Sequence, residues 1–306
     1  MSLPKLLVIV GPTASGKSAL AIALAKKLNG EIISADSRQF YRGMAIGSGV
    51  VEGEWQKNGR RRVYDAEGIP HYFLLLRSPA KPLTVAEFQK MAIAKAGEIS
   101  AHGKLPILVG GTGLYVRSVV DNFQIPRVAP NLSLRKKLAK KTTKQLYAML
   151  KKKDPVYATK ISSANRRYMS RALEVIATTG SPFTKQQIMG APLFDVLQIS
   201  PAVPREKLYK KIDDRVESMM DAGLLAEAKR LGTRYGWKTQ TLSGLGHRHL
   251  GLFLQGKISC DEAVRLFKRD TRHYAKRQIG WFRRDTRIRS SKTTGSALCM
   301  IKDWLK

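Results

Sequence analysis

Leu6 to Val10 is an unbroken apolar run that stops at Gly11, and an Ala- and Leu-rich segment from Lys17 to Leu28 follows. That order predicts a buried strand, a turn and a helix. Glu31 to Ser34 and Leu105 to Val109 read as two further short strands. An amphipathic helix over about Val85 to Ser100 precedes the second of these, with Phe88, Met91, Ile93 and Ile99 available for burial. Strands alternating with helices predict an α/β fold, a parallel sheet with crossovers flanked by helices. Ligands of such sheets sit beyond the carboxyl ends of the strands, so the polar loops after Val10, Ser34 and Val109 should converge. Phe194 to Ile199 predicts another strand, after which helices dominate. Arg60 to Pro70, ending in Gly68-Ile-Pro, reads as a surface connection with no chemistry.

Composition changes the picture in one respect. The 306 residues, 43% hydrophobic, suffice for one main domain plus an insertion, but 55 Lys and Arg stand against 23 Asp and Glu, a formal charge of +32. A field of that size attracts polyanions such as nucleic acid. The charge is clustered, which argues against a general adaptation to a salty cytoplasm. Arg127 to Arg171 holds fourteen Lys or Arg against the single acid Asp154, and Arg265 to Lys292 holds eleven against Asp270 and Asp285, interleaved with Phe267, His273, Tyr274, Trp281 and Phe282. The first segment has helical spacing and reads as an inserted helical subdomain. Two widely separated cysteines suggest neither a disulfide framework nor a thiolate metal site, which fits a reducing cytoplasm. No apolar run is long enough for a signal peptide or a membrane span, so no membrane partner is expected.

Gly11-Pro12-Thr13-Ala14-Ser15-Gly16-Lys17-Ser18 is a complete P-loop pattern between a predicted strand and helix. Gly11 and Gly16 let the backbone wrap so that successive amides face phosphate oxygens, and the helix terminus adds partial positive charge. Lys17 is expected on the terminal phosphate and the Ser18 hydroxyl on Mg2+. Such a loop most often binds ATP or another nucleoside triphosphate, where an apolar strand ends in a metal-holding aspartate. Here Leu105 to Val109 runs into Gly110-Gly-Thr-Gly-Leu-Tyr115 instead. Asp36, after the second strand, is the acid the sheet geometry brings near the loop. It reads equally as a base or metal-shell group and as a helix cap.

These motifs, with Ala35 to Met44, Arg171-Ala-Leu-Glu174, Asp214-Arg215 and Thr271-Arg-His-Tyr-Ala-Lys-Arg-Gln278, resemble the tRNA dimethylallyltransferase family in the family's order over almost the whole chain. The resemblance implies a P-loop core over 1–126 and 192–306, the latter with a basic helical C-terminus, and a tRNA-binding helical insertion over 127–191. It implies transfer of the dimethylallyl group of dimethylallyl diphosphate to the exocyclic amine of the adenine just 3′ of the anticodon, by a cytoplasmic, monomeric enzyme. Asp36 is then the general base. The loop amides, Lys17, Thr13, Arg215 and magnesium held through Ser18 meet the charge of the departing diphosphate. Ser37, Arg38, Gln39 and Thr112 fall to the adenine or its neighbours, and Arg135, Arg166, Arg167, Arg171 and Gln278 to the anticodon stem-loop. The adenine must leave its stack, so a channel should join the RNA side to the diphosphate side.

The chain departs from the family where Ala45-Ile-Gly-Ser-Gly-Val-Val follows Gly-Met, where Tyr168 stands at a common arginine, and where His71-Tyr72 replaces a histidine pair. Gly246-His247-Arg-His249 replaces Gly-Tyr-Arg-Glu and reads as a turn with surface histidines, since its spacing is no recognised zinc set. Rival readings are a P-loop kinase, a non-catalytic RNA-binding protein, and a prenyltransferase acting on free adenylate. Arg215 alternatively pairs with Asp213 or Asp214 on a solvated helix.

Overall fold

The structure is a computed structural model that describes residues 2–59, 61–126, 128–186 and 188–306. Its strands are β1 (Lys5–Val10), β2 (Gly30–Ser34), β3 (Glu54–Asn58), β4 (Arg61–Ala66), β5 (Ile69–Tyr72), β6 (Leu105–Gly110), β7 (Phe123–Gln124), β8 (Ile188–Met189), β9 (Asp195–Pro201) and β10 (Ile288–Ser291). The helices are α1 (Lys17–Leu28), α2 (Ala45–Ser48), α3 (Val85–Ala101), α4 (Gly113–Val120), α5 (Leu132–Ala139), α6 (Thr143–Lys153), α7 (Pro155–Lys160), α8 (Arg166–Thr179), α9 (Arg205–Asp221), α10 (Leu224–Tyr235), α11 (Leu245–Leu254), α12 (Cys260–Phe282) and α13 (Thr294–Leu305). By contacts the chain separates into two compact units, Met1–Val120 with Leu193–Lys306, and Asp121–Pro192. Arg127, where the insertion was expected to begin, lies outside the described residues.

In the first unit eight strands form one sheet in the order β10-β9-β1-β6-β2-β5-β4-β3. The ladders joining β10, β9, β1, β6, β2 and β5 are all parallel, and only β4 with its neighbours is antiparallel. β1 reads as a continuous apolar run because it is central and covered on both sides. Leu6, Val8 and Val10 face a core with Phe40, Phe88, Leu108 and Val116, while Leu7 and Ile9 face α1 and α13 through Ala21, Leu24, Ile107 and Ile301. α3 begins where Thr84 and Glu87 exchange side-chain-to-amide hydrogen bonds, a reciprocal cap that satisfies two terminal amides.

Three strands replace expected loop or helix. The segment read as a surface connection, apart from Arg60, which lies outside the described residues, is largely β4 and β5. Glu67 (φ 56°) and Gly68 (φ 78°) both take left-handed backbone between them, the conformation of a tight hairpin turn. Tyr64, Ala66 and Ile69 are buried there with half-buried or exposed residues between them, so the segment carries no continuous apolar run. β10 is an edge strand whose one apolar residue is Ile288, too little to mark it. The Gly246 to His249 segment is also corrected: it is the first turn of α11, and His247 (1% exposed) and His249 (4%) are buried. Carboxylates from other helices make that burial tolerable, since His247 Nε2 meets Glu227 Oε1 at 2.9 Å and His249 Nε2 meets Asp270 Oδ2 at 3.0 Å.

The second unit is helical apart from the two-residue β7–β8 ladder. Its core joins Leu138, Leu146, Leu150, Tyr157, Met169 and Leu173. Glu174, fully buried, accepts from Arg135 Nε and Nη2 at 2.7 and 2.8 Å, from Arg171 Nη1 at 2.6 Å and from the Asn131 amide at 2.7 Å. Burial alone pushes its carboxyl upward, but Arg135, Arg171 and the Asn131 amide outweigh that and hold it at about 2. A buried carboxylate with both partners in place is costly to neutralise on one side only. Glu174→Gln should therefore weaken the second unit by ~3 kcal/mol, read as an increase of about a hundredfold in amide hydrogen exchange across α5 and α8. Exchange unchanged from wild type would show that the carboxylate does not hold these helices.

Candidate active site

The loop after β1 must turn sharply to bring its amides together, and its backbone shows how. Gly11 (φ 147°), Ala14 (φ 61°) and Gly16 (φ 85°) all lie at positive φ. A Cβ on Gly11 would come within 2.9 Å of Ser15 Oγ, so the first glycine is required by closeness as well as by conformation. The Pro12 carbonyl accepts from the Ser15 amide at 3.3 Å and from Lys17 Nζ at 3.4 Å. The ammonium is thus folded back over its own loop at the amino end of α1.

The loops after β2 and β6 close on this one. A Cβ on Gly110 would lie 2.3 Å from the Ala35 carbonyl, so only glycine lets the two strand ends approach. The Ser37 amide donates to Thr112 Oγ1 at 3.1 Å. Asp36 Oδ1 accepts from the Arg38 amide at 2.9 Å, a side-chain turn and not the expected helix cap, because residues 37–40 form turns and the next helix is α2. The residue also lines both cavities described below.

Thr13, Lys17, Asp36, Ser48 and Arg215 line both cavities. The narrower extends past Ser18, Ser34, Gln39, Gly49 and His71. The wider extends past Ser37, Arg38, Ile212, Val216, Met219, Leu245, Phe267 and Tyr274. Burial is the main force lowering the Lys17 pKa to about 8, with Asp36 opposing it and Arg215 adding to it. Arg215 is likewise disfavoured by burial and supported by Asp36. Two cations and one carboxylate therefore share a poorly hydrated cleft with positive charge in excess, an arrangement suited to an anion.

Arg215 does not pair with its neighbours on α9. Its Nη2 donates to the Gly49 carbonyl at 3.2 Å, while Asp213 bonds Arg272 of α12. Gly49 (φ 60°) has no room for a side chain, because a Cβ would sit 1.6 Å from that nitrogen. The turn carrying Gly49 is in turn held by a pair absent from the sequence reading. Glu227 accepts from the Ile46 and Gly47 amides at 3.0 and 2.9 Å and is backed by His247. Only the glycine at position 47 marked it, since a Cβ there would meet His247 Cε1 at 2.3 Å.

The remaining expected contacts have partners within the protein. Arg38 donates to the Gln240 and Thr241 carbonyls and to Ser243 Oγ, and Gln39 joins Ser34 Oγ to the Gly49 carbonyl. Gln278 is 5% exposed and bonds the P-loop and Gly111. In the second unit Arg135 and Arg171 hold Glu174, Arg166 donates to Thr143 Oγ1 and the Ala139 carbonyl, and Arg167 is exposed. Its exposed Lys136, Lys137, Lys140, Lys141 and Lys151 to Lys153 make no ion pair among the described residues. For magnesium, the donors present are the Ser18 hydroxyl and the Asp36 carboxylate on one cavity wall. Hard oxygens few in number suit this ion, which keeps waters and substrate phosphates as its other ligands. Among the described residues no group of three or more His, Cys, Asp or Glu could hold a metal by itself, and no helix is long and apolar enough to cross a membrane.

Known proteins resemble this chain in sequence and fold. The pattern of the family described as IPP transferase matches residues 39–285, and that of isopentenyl transferase matches residues 4–69. A tRNA dimethylallyltransferase of Carboxydothermus hydrogenoformans is 44% identical over 93% of this chain and 91% of its own length. The crystal structure of the tRNA isopentenylpyrophosphate transferase of Bacillus halodurans superposes with a TM-score of 0.70 at 35% identity, covering 98% of this chain and 95% of that one. A eukaryotic dimethylallyltransferase acting on tRNA gives a TM-score of 0.72 at 30% identity, covering 91% and 69%. By sequence pattern, by relatives matched along nearly their whole length and by fold, the chain belongs to the IPP transferase family.

Proposed function

We propose that this protein transfers the dimethylallyl group of dimethylallyl diphosphate to the exocyclic amine of the adenine 3′ of the anticodon in tRNA, releasing diphosphate. The observation carrying this is that Asp36 lines the same two cavities as Lys17, Thr13 and Arg215. In the reaction the amine nitrogen bonds to the first prenyl carbon, the bond from that carbon to the diphosphate oxygen breaks, and the amine proton passes to Asp36. A carboxylate of ordinary basicity is adequate because the proton leaves as the nitrogen gains positive charge. Lys17, Arg215 and the loop amides oppose the charge that develops on the departing oxygens. Magnesium bound through Ser18 would add positive charge to the diphosphate. Ile212, Val216, Met219, Leu245 and Phe267 offer the prenyl chain an apolar wall. Ser37, which lines the wider cavity, and Thr112, which accepts from its amide, are assigned to the adenine. Each unit carries unpaired basic residues for the phosphates of the anticodon stem-loop, and the compartment that holds tRNA is the cytoplasm.

A kinase or an enzyme of free adenylate would use the same cradle without RNA. Incubation with labelled dimethylallyl diphosphate, Mg2+ and total tRNA, then with ATP or AMP in place of tRNA, separates them. Label in tRNA nucleosides is expected, and label in AMP alone would overturn the tRNA assignment.

Asp36→Asn should lower kcat by about 10² to 10⁴-fold while leaving the tRNA Kd unchanged, and full turnover in the variant would remove Asp36 as the base. Binding of tRNA through about six phosphates should weaken on the order of a thousandfold between about 50 and 200 mM salt, measured by filter binding. A flat response would exclude a phosphate-driven interface. The Lys17 ammonium is present below about 8 and lost above it, so kcat/KM for the diphosphate should fall about tenfold per pH unit on the alkaline side. Lys17→Arg should abolish that limb. The sign for stability is opposite: with the folded pKa near 8 and the ordinary value 10.5, the unfolded chain binds more protons in that window. Lys17 therefore makes the free protein more stable as pH rises through it.

A further inference from the structure

We propose that Gln278 is a positioning residue of the phosphate cradle, fixing the peptide unit from which Lys17 is aimed. This rests on the reading that the cradle holds a diphosphate. Gln278 projects from α12, far along the chain from the P-loop. Its Oε1 accepts from the Thr13 amide at 2.9 Å and its Nε2 donates to the Gly111 carbonyl at 2.8 Å. The orientation of the amide is thereby determined, because a backbone N–H only donates and a carbonyl only accepts.

The Thr13 N–H and the Pro12 C=O belong to one planar peptide unit. Gln278 holds the N–H end, and the C=O end accepts from Lys17 Nζ at 3.4 Å. Rotation of that plane would swing the carbonyl away from the ammonium, so a bond to one edge sets the anchor at the other. Thr13, Lys17 and Gln278 also line the same wider cavity. The fit is specific on the other side as well: a Cβ on Gly111 would lie 2.3 Å from Gln278 Nε2, and one on Gly113 would lie 2.1 Å from Trp281 Nε1, a turn further along α12. Gly111 and Gly113 of the loop after β6 thus give the helix its seat. Lys276 and Arg277, which precede Gln278, are exposed. The helix therefore turns cations outward and a neutral amide inward, where both ends of the amide meet backbone.

The test is Gln278→Met in the full chain, which keeps length and apolar bulk and removes both hydrogen bonds. Binding of inorganic diphosphate, measured by calorimetry, should weaken about tenfold, the equivalent of one such bond. The kcat/KM for dimethylallyl diphosphate should fall by a similar factor while the tRNA Kd stays within about twofold. The alkaline limb of the pH profile should also move, because Lys17 loses its anchor. Unchanged diphosphate binding, or a weakened tRNA Kd with intact donor use, would overturn the proposal, the latter making Gln278 an RNA contact. A purely structural role would lower Tm and impair both substrates alike, which also overturns it. If Gln278→Met fails to fold, Gln278→Asn keeps a polar amide too short to span both partners and carries the same expectations. A wild-type protein that binds diphosphate but transfers no prenyl group would refute the functional reading and leave the calorimetric comparison decisive for Gln278.

Discussion

An excess of positive charge with little water around it governs this site. Lys17 and Arg215 both lose hydration in the cleft, and one carboxylate, Asp36, answers them. Low dielectric strengthens whatever attraction forms there and makes any charge left unanswered expensive. A ligand bearing several negative charges completes the balance, and a neutral one does not. The same arrangement keeps Asp36 close to the cations without making it a partner of either by hydrogen bond. Its Oδ1 is occupied instead by the backbone amide of Arg38.

The rest of the first unit keeps these groups in place by close backbone approach. Gly110 against Ala35, Gly111 against Gln278, Gly113 against Trp281, Gly47 against His247 and Gly49 against Arg215 are positions where a methyl group has no space. The first joins two strand ends, and each of the others seats a side chain of a distant helix against the backbone. α9, α10, α11 and α12 thereby act on the strand ends of the sheet, and the Glu227–His247 pair transmits that support to Arg215 through Gly49.

Much of this was legible in the residues. Continuous apolar runs identified β1, β6 and β9 because those strands are covered on both faces, and the P-loop announced its turn through Gly11 and Gly16. β4, β5 and β10 were illegible because an edge or half-buried strand needs few apolar residues. The site divides in the same way. Asp36, Lys17 and Ser18 followed from motif and sheet geometry. The burial of His247, Glu174 and Gln278 did not follow, since a polar residue discloses its burial only through partners remote in sequence. Clustered positive charge was equally ambiguous: Arg135 and Arg171 look like surface cations until Glu174 is placed between them.

The hydrogen bond from Thr13 to Gln278 joins positions 265 residues apart, and Lys5 on the first strand bonds the Trp304 carbonyl on the last helix. Ribosomal synthesis proceeds directionally at about 5 to 20 residues per second, so the cradle emerges on the order of tens of seconds before the helix that finishes it. Until then its loop lacks a partner for the Thr13 amide, and β1, joined to β6 on one edge, stays open on the other until β9 has been made. A nascent chain thus carries its central strand half-paired, and an open strand edge is a template for pairing with another chain unless something covers it.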